Sequence, residues 1–562
     1  MSKMTGGQVL LESLRQEGVE VIFGLPGGVL LPLYDEIYKE EFRHILVRHE
    51  QGAVHAAEGY ARTSGKVGVV LVTSGPGGTN TVTGIVNAYM DSSPVVVFTG
   101  QVPTPLIGND AFQEADIVGI TRTCTKHNYL VKELRDLPRI VKEAFYLART
   151  GRPGPVLVDL PKDVLTDTLE FSYPSQIHLR GYNPNYQGHP GQIDKALRLL
   201  GNAERPLIYF GGGVILSDSA ELLTNFAKGL NIPLTSTLMG LGGFPGTDDL
   251  WLGMAGMHGS YAANMALTHC DILLAIGARF DDRITGKVDE FAPKAEIIHV
   301  DIDPTSIQKN IKVSVPIVGD VGQVLTKMIE LTESGGQDGS PSWKSWLEQL
   351  RQWKESHPFG YKPSTERIKP QQVIEKIWEL TKGDCIITTD VGQHQMWTAQ
   401  FFRFIKPRTL VTSGGLGTMG FGLPAAIGAQ VAFPDRLVVD IAGDGGLQMT
   451  LQELATAVHN KLPVKIAIIN NGFLGMVRQW QGLFFDKRYS QVILGGPPDF
   501  VKLAEAYGAL GLRATKPAEL QGVLERGLAS PGVVLMDFVV DPEEDVYPMV
   551  PTGAPINEML LA

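Results

Sequence analysis

Residues 437–471 read LVVDIAGDGGLQMTLQELATAVHNKLPVKIAIINN, and no other stretch of the chain leaves so few ways to fold. An apolar run from Leu437 to Ala442 meets a turn, Gly443-Asp444-Gly445-Gly446. Leu447, Leu451, Leu454 and Val458 then recur at helical spacing, and a second apolar run, Val464 to Ile469, ends at Asn470-Asn471. The pattern predicts a strand, a turn, one helix and a second strand parallel to the first. A parallel crossover returns both strands to the same edge of the sheet. Asp444 and Asn471 therefore meet there, and a carboxylate with an amide oxygen suits Mg²⁺ bridging a diphosphate. The glycines let backbone N–H groups approach phosphate oxygens at a helix N-terminus. A Gly-Asp-Gly alone is as often an ordinary turn; the Asn pair ending the next strand favours the metal site.

The rest of the chain carries the same theme. A helical pattern over 4–18 leads to short strands at 21–23 and 44–48, a small-residue helix over 52–63, a strand at 67–72, a Gly-rich turn at 74–80 and a strand at 94–98. Its order over 52–101 (helix, apolar strand, Gly-rich turn, helix, Pro-led strand) recurs over 420–471, which suggests a duplicated α/β unit. Residues 165–190 are polar and rich in Pro and Tyr, a linker; strands at 206–210, 272–276, 297–300 and 315–318 mark a second α/β region, and 333–341 a second, Gly/Ser-rich linker. The expectation is α/β, with three doubly wound parallel-sheet domains over 1–168, 190–335 and 366–541 and a Pro-rich tail, 542–562, able to close over a site. A net charge of −11 argues against nucleic acid as a partner. Cys124, Cys270 and Cys385 lack metal spacing and read as core thiols of a reducing compartment. With no signal-type segment and no apolar run of about 18 residues, no membrane is expected and the cytoplasm is the default location.

The Asp444…Asn471 segment resembles the thiamine diphosphate enzymes, whose signature is Gly-Asp-Gly, a crossover helix and Asn-Asn. That resemblance implies that Asp444, Asn471 and the backbone oxygen of Phe473 hold Mg²⁺. It gives Gln393, His394, Gly417, Gly443, Gly445, Gly446 and Met476 to the rest of the cofactor. Met419, in GGLGTMGFG, matches the bulky residue beneath the thiazolium, which brings the aminopyrimidine to C2. Many relatives carry Ser or Ala where this chain has Gly446, so the turn is expected to be looser here with no ligand lost. Glu50 would otherwise pass for a helix-start carboxylate. Within His49-Glu50-Gln51 it matches the glutamate that bonds N1′ of the pyrimidine and favours the tautomer able to take the C2 proton. In these enzymes one domain holds the pyrimidine, another the diphosphate, and the two face each other across a subunit interface.

A narrower resemblance is to acetohydroxyacid synthases (acetolactate synthases), catalytic large subunit. It rests on Pro26-Gly27-Gly28, Arg48-His49-Glu50-Gln51, Ala111-Phe112-Gln113-Glu114, Asp159-Leu160-Pro161-Lys162-Asp163, Gly256-Met257-His258-Gly259, Arg279-Phe280-Asp281-Asp282-Arg283 and Gly475-Met476-Val477-Arg478-Gln479-Trp480, in the family's order. It implies that Gly28, Phe112, Gln113 and Lys162 surround the reacting carbon, with Met257, Arg283 and Trp480 on the substrate side. It also implies FAD, held by Arg152, Gly211, Gly212, Gly213, Leu238, Met239, His258, Gly277, Arg279, Asp281, Arg283, Asp301, Ile302 and Asp320. On the residues alone Gly211-Gly212-Gly213 is only a tight turn. The implied reaction decarboxylates pyruvate and passes the two-carbon unit to pyruvate or 2-ketobutyrate, the first common step of branched-chain amino acid synthesis. A homodimer or homotetramer and a small regulatory subunit belong to the same expectation. The rivals are pyruvate oxidase or another 2-keto acid decarboxylase, and a non-catalytic FAD-binding scaffold, against which Glu50, Asp444 and Asn471 all count.

Overall fold

Strands covered on both faces need near-continuous apolar runs, and the chain supplies three sets of six. The computed structural model describes residues 3–334, 343–496 and 498–561. In the first sheet the order is His44–Leu46, Ile22–Leu25, Gly68–Val72, Val95–Gln101, Val156–Pro161, His127–Leu130. In the last it is Leu410–Val411, Ile386–Thr389, Val438–Gly443, Lys465–Asn470, Val534–Val539, Leu510–Ala514. Numbering the strands within each set along the chain, both sheets run 2-1-3-4-6-5. The echo between 52–101 and 420–471 is thus an echo of whole sheets. The middle sheet runs Trp251–Met254, Leu234–Ser236, Pro206–Phe210, Ile272–Ile276, Glu296–Asp301, Val315–Val318, which is 3-2-1-4-5-6. Every pairing in the three sheets is parallel.

A short antiparallel pair, Lys3–Thr5 with Thr168–Glu170, ties the start of the chain to the end of the first unit. From there to the helix at Pro190 the chain has no helix or strand beyond an isolated bridge at Gln187, as a linker should. The second linker is shorter than its composition suggests. Glu333 and Ser334 finish the helix Val321–Ser334, and 335–341 lie outside the described residues. The tail is a strap. The Gln479 side chain bonds both the N–H and the carbonyl of Val546, the Val550 N–H donates to the Met257 carbonyl at 2.8 Å, and Ile556 sits in the core of the middle unit.

The helix expected after Asp444 is in fact two, Asp444–Thr450 and Glu453–His459, broken at Leu451-Gln452. Leu447 and Leu454 are buried, whereas Leu451 and Val458 are only half-buried. The break re-aims Glu453 at the first unit, where its carboxylate accepts the Arg48 N–H at 3.0 Å. That long-range bond lies outside anything apolar periodicity can reveal.

The first and third units meet through two helices, Glu50–Ser64 and Gly422–Ala432, each built largely of small residues. A Cβ at Gly428 would overlap the carbonyl oxygen of Ala56, and one at Gly59 the carbonyl oxygen of Ala425. The backbones themselves touch, so both sheets share one apolar cluster, with Val70 and Val97 from the first and Ile466 and Ile468 from the third. Among the described residues no helix is long and apolar enough to cross a membrane.

Gly428→Ala is expected to destabilise the protein by about 1–3 kcal/mol, the usual cost of overpacking a close interior. Gly229→Ala, at a helical position with open space around it, should instead be neutral or stabilising by up to about 1 kcal/mol. Denaturant midpoints of the two variants test the contrast.

Candidate active site

In a doubly wound sheet, ligands bind beyond the carboxyl ends of the strands, where the strand order reverses. In the third unit that point lies between Ile386–Thr389 and Val438–Gly443. Gln393, His394, Met419, Gly443, Asp444, Gly445, Gly446, Asn471, Phe473 and Met476 line one cavity there. Gly417 does not; it is exposed, with φ +73°, on the loop leading to Met419.

Asp444 is buried, and one carboxylate oxygen accepts the Gly472 N–H at 3.1 Å. Burial pushes its carboxyl up to about 7, against the pull of the backbone N–H groups. Asn471 accepts the Phe473 N–H at 3.0 Å and donates to Gln393 at 3.3 Å. His394 is buried and held neutral, its pKa lowered by burial to about 4, and its Nε2 has no partner. Its ring lies so close to Gly443 that a Cβ there would stand 2.8 Å from Cε1. Among the described residues no three His, Cys, Asp or Glu side chains cluster tightly enough to hold a metal by themselves. A cation at Asp444 would have to draw on amide, backbone or ligand oxygens as well, the ordinary mixed oxygen set of Mg²⁺ on a phosphate ester. The His394 Nε2 on the same wall can meet a phosphate oxygen when it carries the ring proton.

Gly446 is not a loosened turn. A Cβ there would overlap the buried carboxylate of Asp390, which accepts the Val391 N–H at 2.7 Å and the Gly420 N–H at 2.8 Å. Asp390 thereby holds the residue after Met419, and glycine at 446 makes room for it. Met419 in turn lies beside Gly445, whose Cβ would be 3.8 Å from the Met419 methyl.

The corresponding edge of the first sheet collects the other predicted residues. Glu50 follows the strand His44–Leu46, Gly28 follows Ile22–Leu25, Gln113 packs on the turn at Gly75 after Gly68–Val72, and Lys162 follows Val156–Pro161. Glu50 is buried and accepts a hydrogen bond from Asn80 at 2.9 Å. Gln113 has φ +60°, and Phe112 beside it is 88% exposed. None of the four, nor Phe112, lines the Asp444 cavity, which encloses only about 70 Å³.

The middle sheet has the strand order of dinucleotide-binding domains, with its reversal between Pro206–Phe210 and Ile272–Ile276. A crevice there is lined by Gly211, Gly212, Gly213, Met239, Gly277, Arg279, Asp281, Asp301, Ile302 and Asp320, and by Arg152 from the first unit. Gly213 and Gly277 touch, since a Cβ on either would come within 2.7 Å of the other's Cα. This closeness lets backbone rather than side chain form the floor. Burial raises Asp301 to about 6, and Arg152 pairs with Asp303 at 3.2 Å. The glycines, the two arginines and the carboxylates suit a dinucleotide with a charged pyrophosphate. Leu238, His258 and Arg283 stand off this wall. His258 is buried, its Nδ1 3.2 Å from the Pro548 carbonyl of the tail. Arg283 is exposed, and its guanidinium lies 3.8 Å from the sulfur of Met257. Met476 reaches the Asp444 cavity, whereas Trp480, a turn further along Gly475–Phe484, packs edge-on to Phe484 at 5.6 Å. A further cavity of about 470 Å³, between Trp251 and Trp378, contains none of these groups.

Asn80, Asp390 and Glu453 were not singled out by sequence reasoning. Asn80 closes the Gly-rich turn that echoes the Asp444 turn, and Asp390 ends a strand just before Gly392-Gln393-His394, so position at a strand end was the available signal for both. Glu453 gave none, because its partner lies 405 residues away.

Three family domains match the chain: the thiamine pyrophosphate enzyme N-terminal TPP binding domain over 4–120, the central domain over 193–328 and the C-terminal TPP binding domain over 390–538. The chain is 49% identical to the acetolactate synthase large subunit of Haemophilus influenzae, over 100% of this chain and 99% of that one. It is 48% identical to the acetolactate synthase isozyme 3 large subunit of Escherichia coli, over 100% and 99%. It is 49% identical to a probable acetolactate synthase large subunit of Methanocaldococcus jannaschii, over 99% and 95%.

Gly446→Ala should displace Asp390 and cost about 1–3 kcal/mol, as interior overpacking does. If Asp390 is the obstacle, Gly446→Ala combined with Asp390→Ala should cost clearly less than the two changes summed. Additive denaturation midpoints would contradict this arrangement.

Proposed function

The chain belongs to the thiamine pyrophosphate enzymes, and within them to the acetolactate synthase large subunits, and on that footing we propose how its residues divide the work. The reaction decarboxylates pyruvate and joins the two-carbon unit to a second pyruvate or to 2-ketobutyrate, opening branched-chain amino acid synthesis. The observation that carries this reading is the Asp444 cavity, with a buried carboxylate, an amide oxygen and an orphaned imidazole nitrogen on one wall, in a chain related to these synthases over its full length. Thiamine diphosphate, when bound, supplies the nucleophilic carbon and the electron sink for loss of CO₂.

Asp444, Asn471 and the Phe473 carbonyl hold Mg²⁺; His394 and Gln393 bond the diphosphate, with Gly443, Gly445 and Gly446 giving backbone access. Met419 and Met476 support the ring system, with Gly417 in the loop before Met419. Glu50, steadied by Asn80, would bond N1′ of the pyrimidine when the cofactor is bound and supply the carboxyl group for proton exchange there. Glu50 does not line the Asp444 cavity; in this reading two copies complete each other's sites in a homodimer or homotetramer, and Gly28, Phe112, Gln113 and Lys162 then close over the reacting carbon. Exposure of Phe112 supports that reading. Met257, Arg283 and Trp480 take the substrate side. FAD occupies the crevice of the middle sheet, held by its glycines, Met239, Arg152, Arg279, Asp281, Asp301, Ile302 and Asp320. Leu238, His258 and Arg283 complete the FAD set, although none of the three lines that crevice. A small regulatory subunit is a further expectation for a large subunit of this kind, and the cytoplasm, domain bounds of 1–168, 190–335 and 366–541 and a closing tail of 542–562 complete the proposal.

Product analysis with pyruvate and 2-ketobutyrate, with and without thiamine diphosphate, Mg²⁺ and FAD, tests the reading. Both acetohydroxy acids should form while the flavin stays oxidised; stoichiometric bleaching of the flavin by pyruvate would mean an oxidase. Glu50→Gln should slow exchange of the cofactor C2 proton by on the order of 10²-fold while the fold is kept. Unchanged exchange would remove Glu50 from that role. Asp444 holds its proton up to about pH 7, and metal needs the carboxylate. Apparent Mg²⁺ affinity in the presence of thiamine diphosphate should therefore weaken as pH falls below about 7, by up to about tenfold per unit, and level off above it. A flat profile between about pH 6 and 8 would count against Asp444 as ligand.

A further inference from the structure

The loop that ends in Met419 is held from outside its own unit. The Asp91 carboxylate, whose side chain is wholly buried, accepts the Gly414 N–H on one oxygen at 2.9 Å and the Gly415 N–H on the other at 2.7 Å. Asn87, one turn earlier on the same helix, accepts from Ser413 at 2.5 Å and from Thr418 at 2.9 Å through its one side-chain oxygen. The loop's base is thus fastened on both sides of the exposed stretch Gly414–Gly417, immediately before Met419.

The same segment is a wall of the middle-unit crevice. Met90, Asp91 and Ser92 line it together with Met239, and Ser92 accepts a hydrogen bond from Arg152 at 2.9 Å. Met239 stands so close to Gly414 that a Cβ there would overlap its sulfur. Arg62 joins both sides, 3.6 Å from Asp91 and 3.6 Å from Glu58, with its other nitrogen 3.8 Å from the Met239 sulfur. One face of this wall meets whatever fills the crevice, and the other grips the loop.

We propose that Asp91 is a positioning residue that couples the dinucleotide crevice to the Met419 loop, so that a flavin dinucleotide in the crevice tightens thiamine diphosphate binding without touching it. The inference rests on the reading of that crevice as a flavin site and of Met419 as cofactor support. Its physical basis is that a ligand packed on segment 90–92 and Met239 restricts the wall, and the two bonds from Asp91 pass the restriction to Gly414 and Gly415. Coupling of this kind is reciprocal and commonly about 5–150-fold.

The test is calorimetric titration of the full-length protein with thiamine diphosphate at saturating Mg²⁺, with and without FAD, and the reverse titration. In the wild type FAD should tighten thiamine diphosphate by about 5-fold or more, and thiamine diphosphate should tighten FAD by the same factor. In Asp91→Ala the ratio should fall to near one while each ligand still binds. Asp91→Asn, which keeps the volume and one good acceptor, should lie between and serves if the alanine variant does not fold. A merely structural role would weaken both affinities and leave the ratio intact, and that outcome would overturn the proposal. Failure of FAD to bind the wild type would instead overturn the crevice assignment, and the coupling with it.

Discussion

The first and third sheets of each copy are locked together by the contact of two helices that have almost no side chain between them. Ala56 and Gly59 on Glu50–Ser64 meet Gly428 and Ala425 on Gly422–Ala432 backbone against backbone. One helix begins at Glu50, and the other begins three residues after Met419. Fixing the crossing therefore fixes two groups that belong to different sheets. Close packing tolerates little adjustment, which is why small residues run along both helices in a chain otherwise rich in Leu and Val. The Glu453 carboxylate on the Arg48 N–H and the Asp91 carboxylate on Gly414 and Gly415 add polar ties across the same junction.

The buried acids follow a pattern. Asp390, Asp440, Asp444 and Glu453 are all raised, burial being the largest cause in each. Asp390 and Glu453 spend their oxygens on backbone N–H groups and so act as fasteners. Asp440 is bonded to Thr388 at 3.0 Å and leaves one oxygen without a partner, the arrangement of a carboxyl that keeps its proton. Asp444 differs in lining a cavity and in having a neutral imidazole and an amide beside it. A buried carboxylate is costly without a counter-charge, and among these acids Asp444 is the one with open space beside it for such a charge.

Strand ends were legible in the sequence because they coincide with changes in residue chemistry. Apolar runs stop at Gly-Asp-Gly, Asn-Asn or Gly-Gly-Gly, and parallel topology then brings those stops to one edge. That logic brought Asp444, Asn471 and the glycine turn to one edge, and they line one cavity there; Gln393, His394, Met419, Phe473 and Met476 on the same wall came from the family resemblance. It failed where a contact spans the chain. Nothing in LQMTLQELATAV reveals that the helix breaks to send Glu453 towards Arg48, and nothing at Gly446 reveals that Asp390 occupies the space of its missing side chain. The strand orders were equally out of reach, since apolar runs carry no neighbour information. The six-strand order of the middle sheet sets the glycine turn at its reversal point, beside a crevice. The resemblance also assigns Leu238, His258 and Arg283 to the flavin; Leu238 adjoins the lining residue Met239, His258 meets the tail at Pro548 and Arg283 meets Met257.

The central claim is that the Glu50 edge of one copy completes the Asp444 edge of another. Mixing two separately inactive variants, Glu50→Gln and Asp444→Ala, under conditions that exchange subunits measures this directly. If the site is shared between copies, half of the dimers are mixed and one of their two sites is intact, so activity should return to about one quarter of the wild-type level. If each chain carries a whole site, no mixture contains an intact one, and activity that stays at the level of the separate variants would contradict the account.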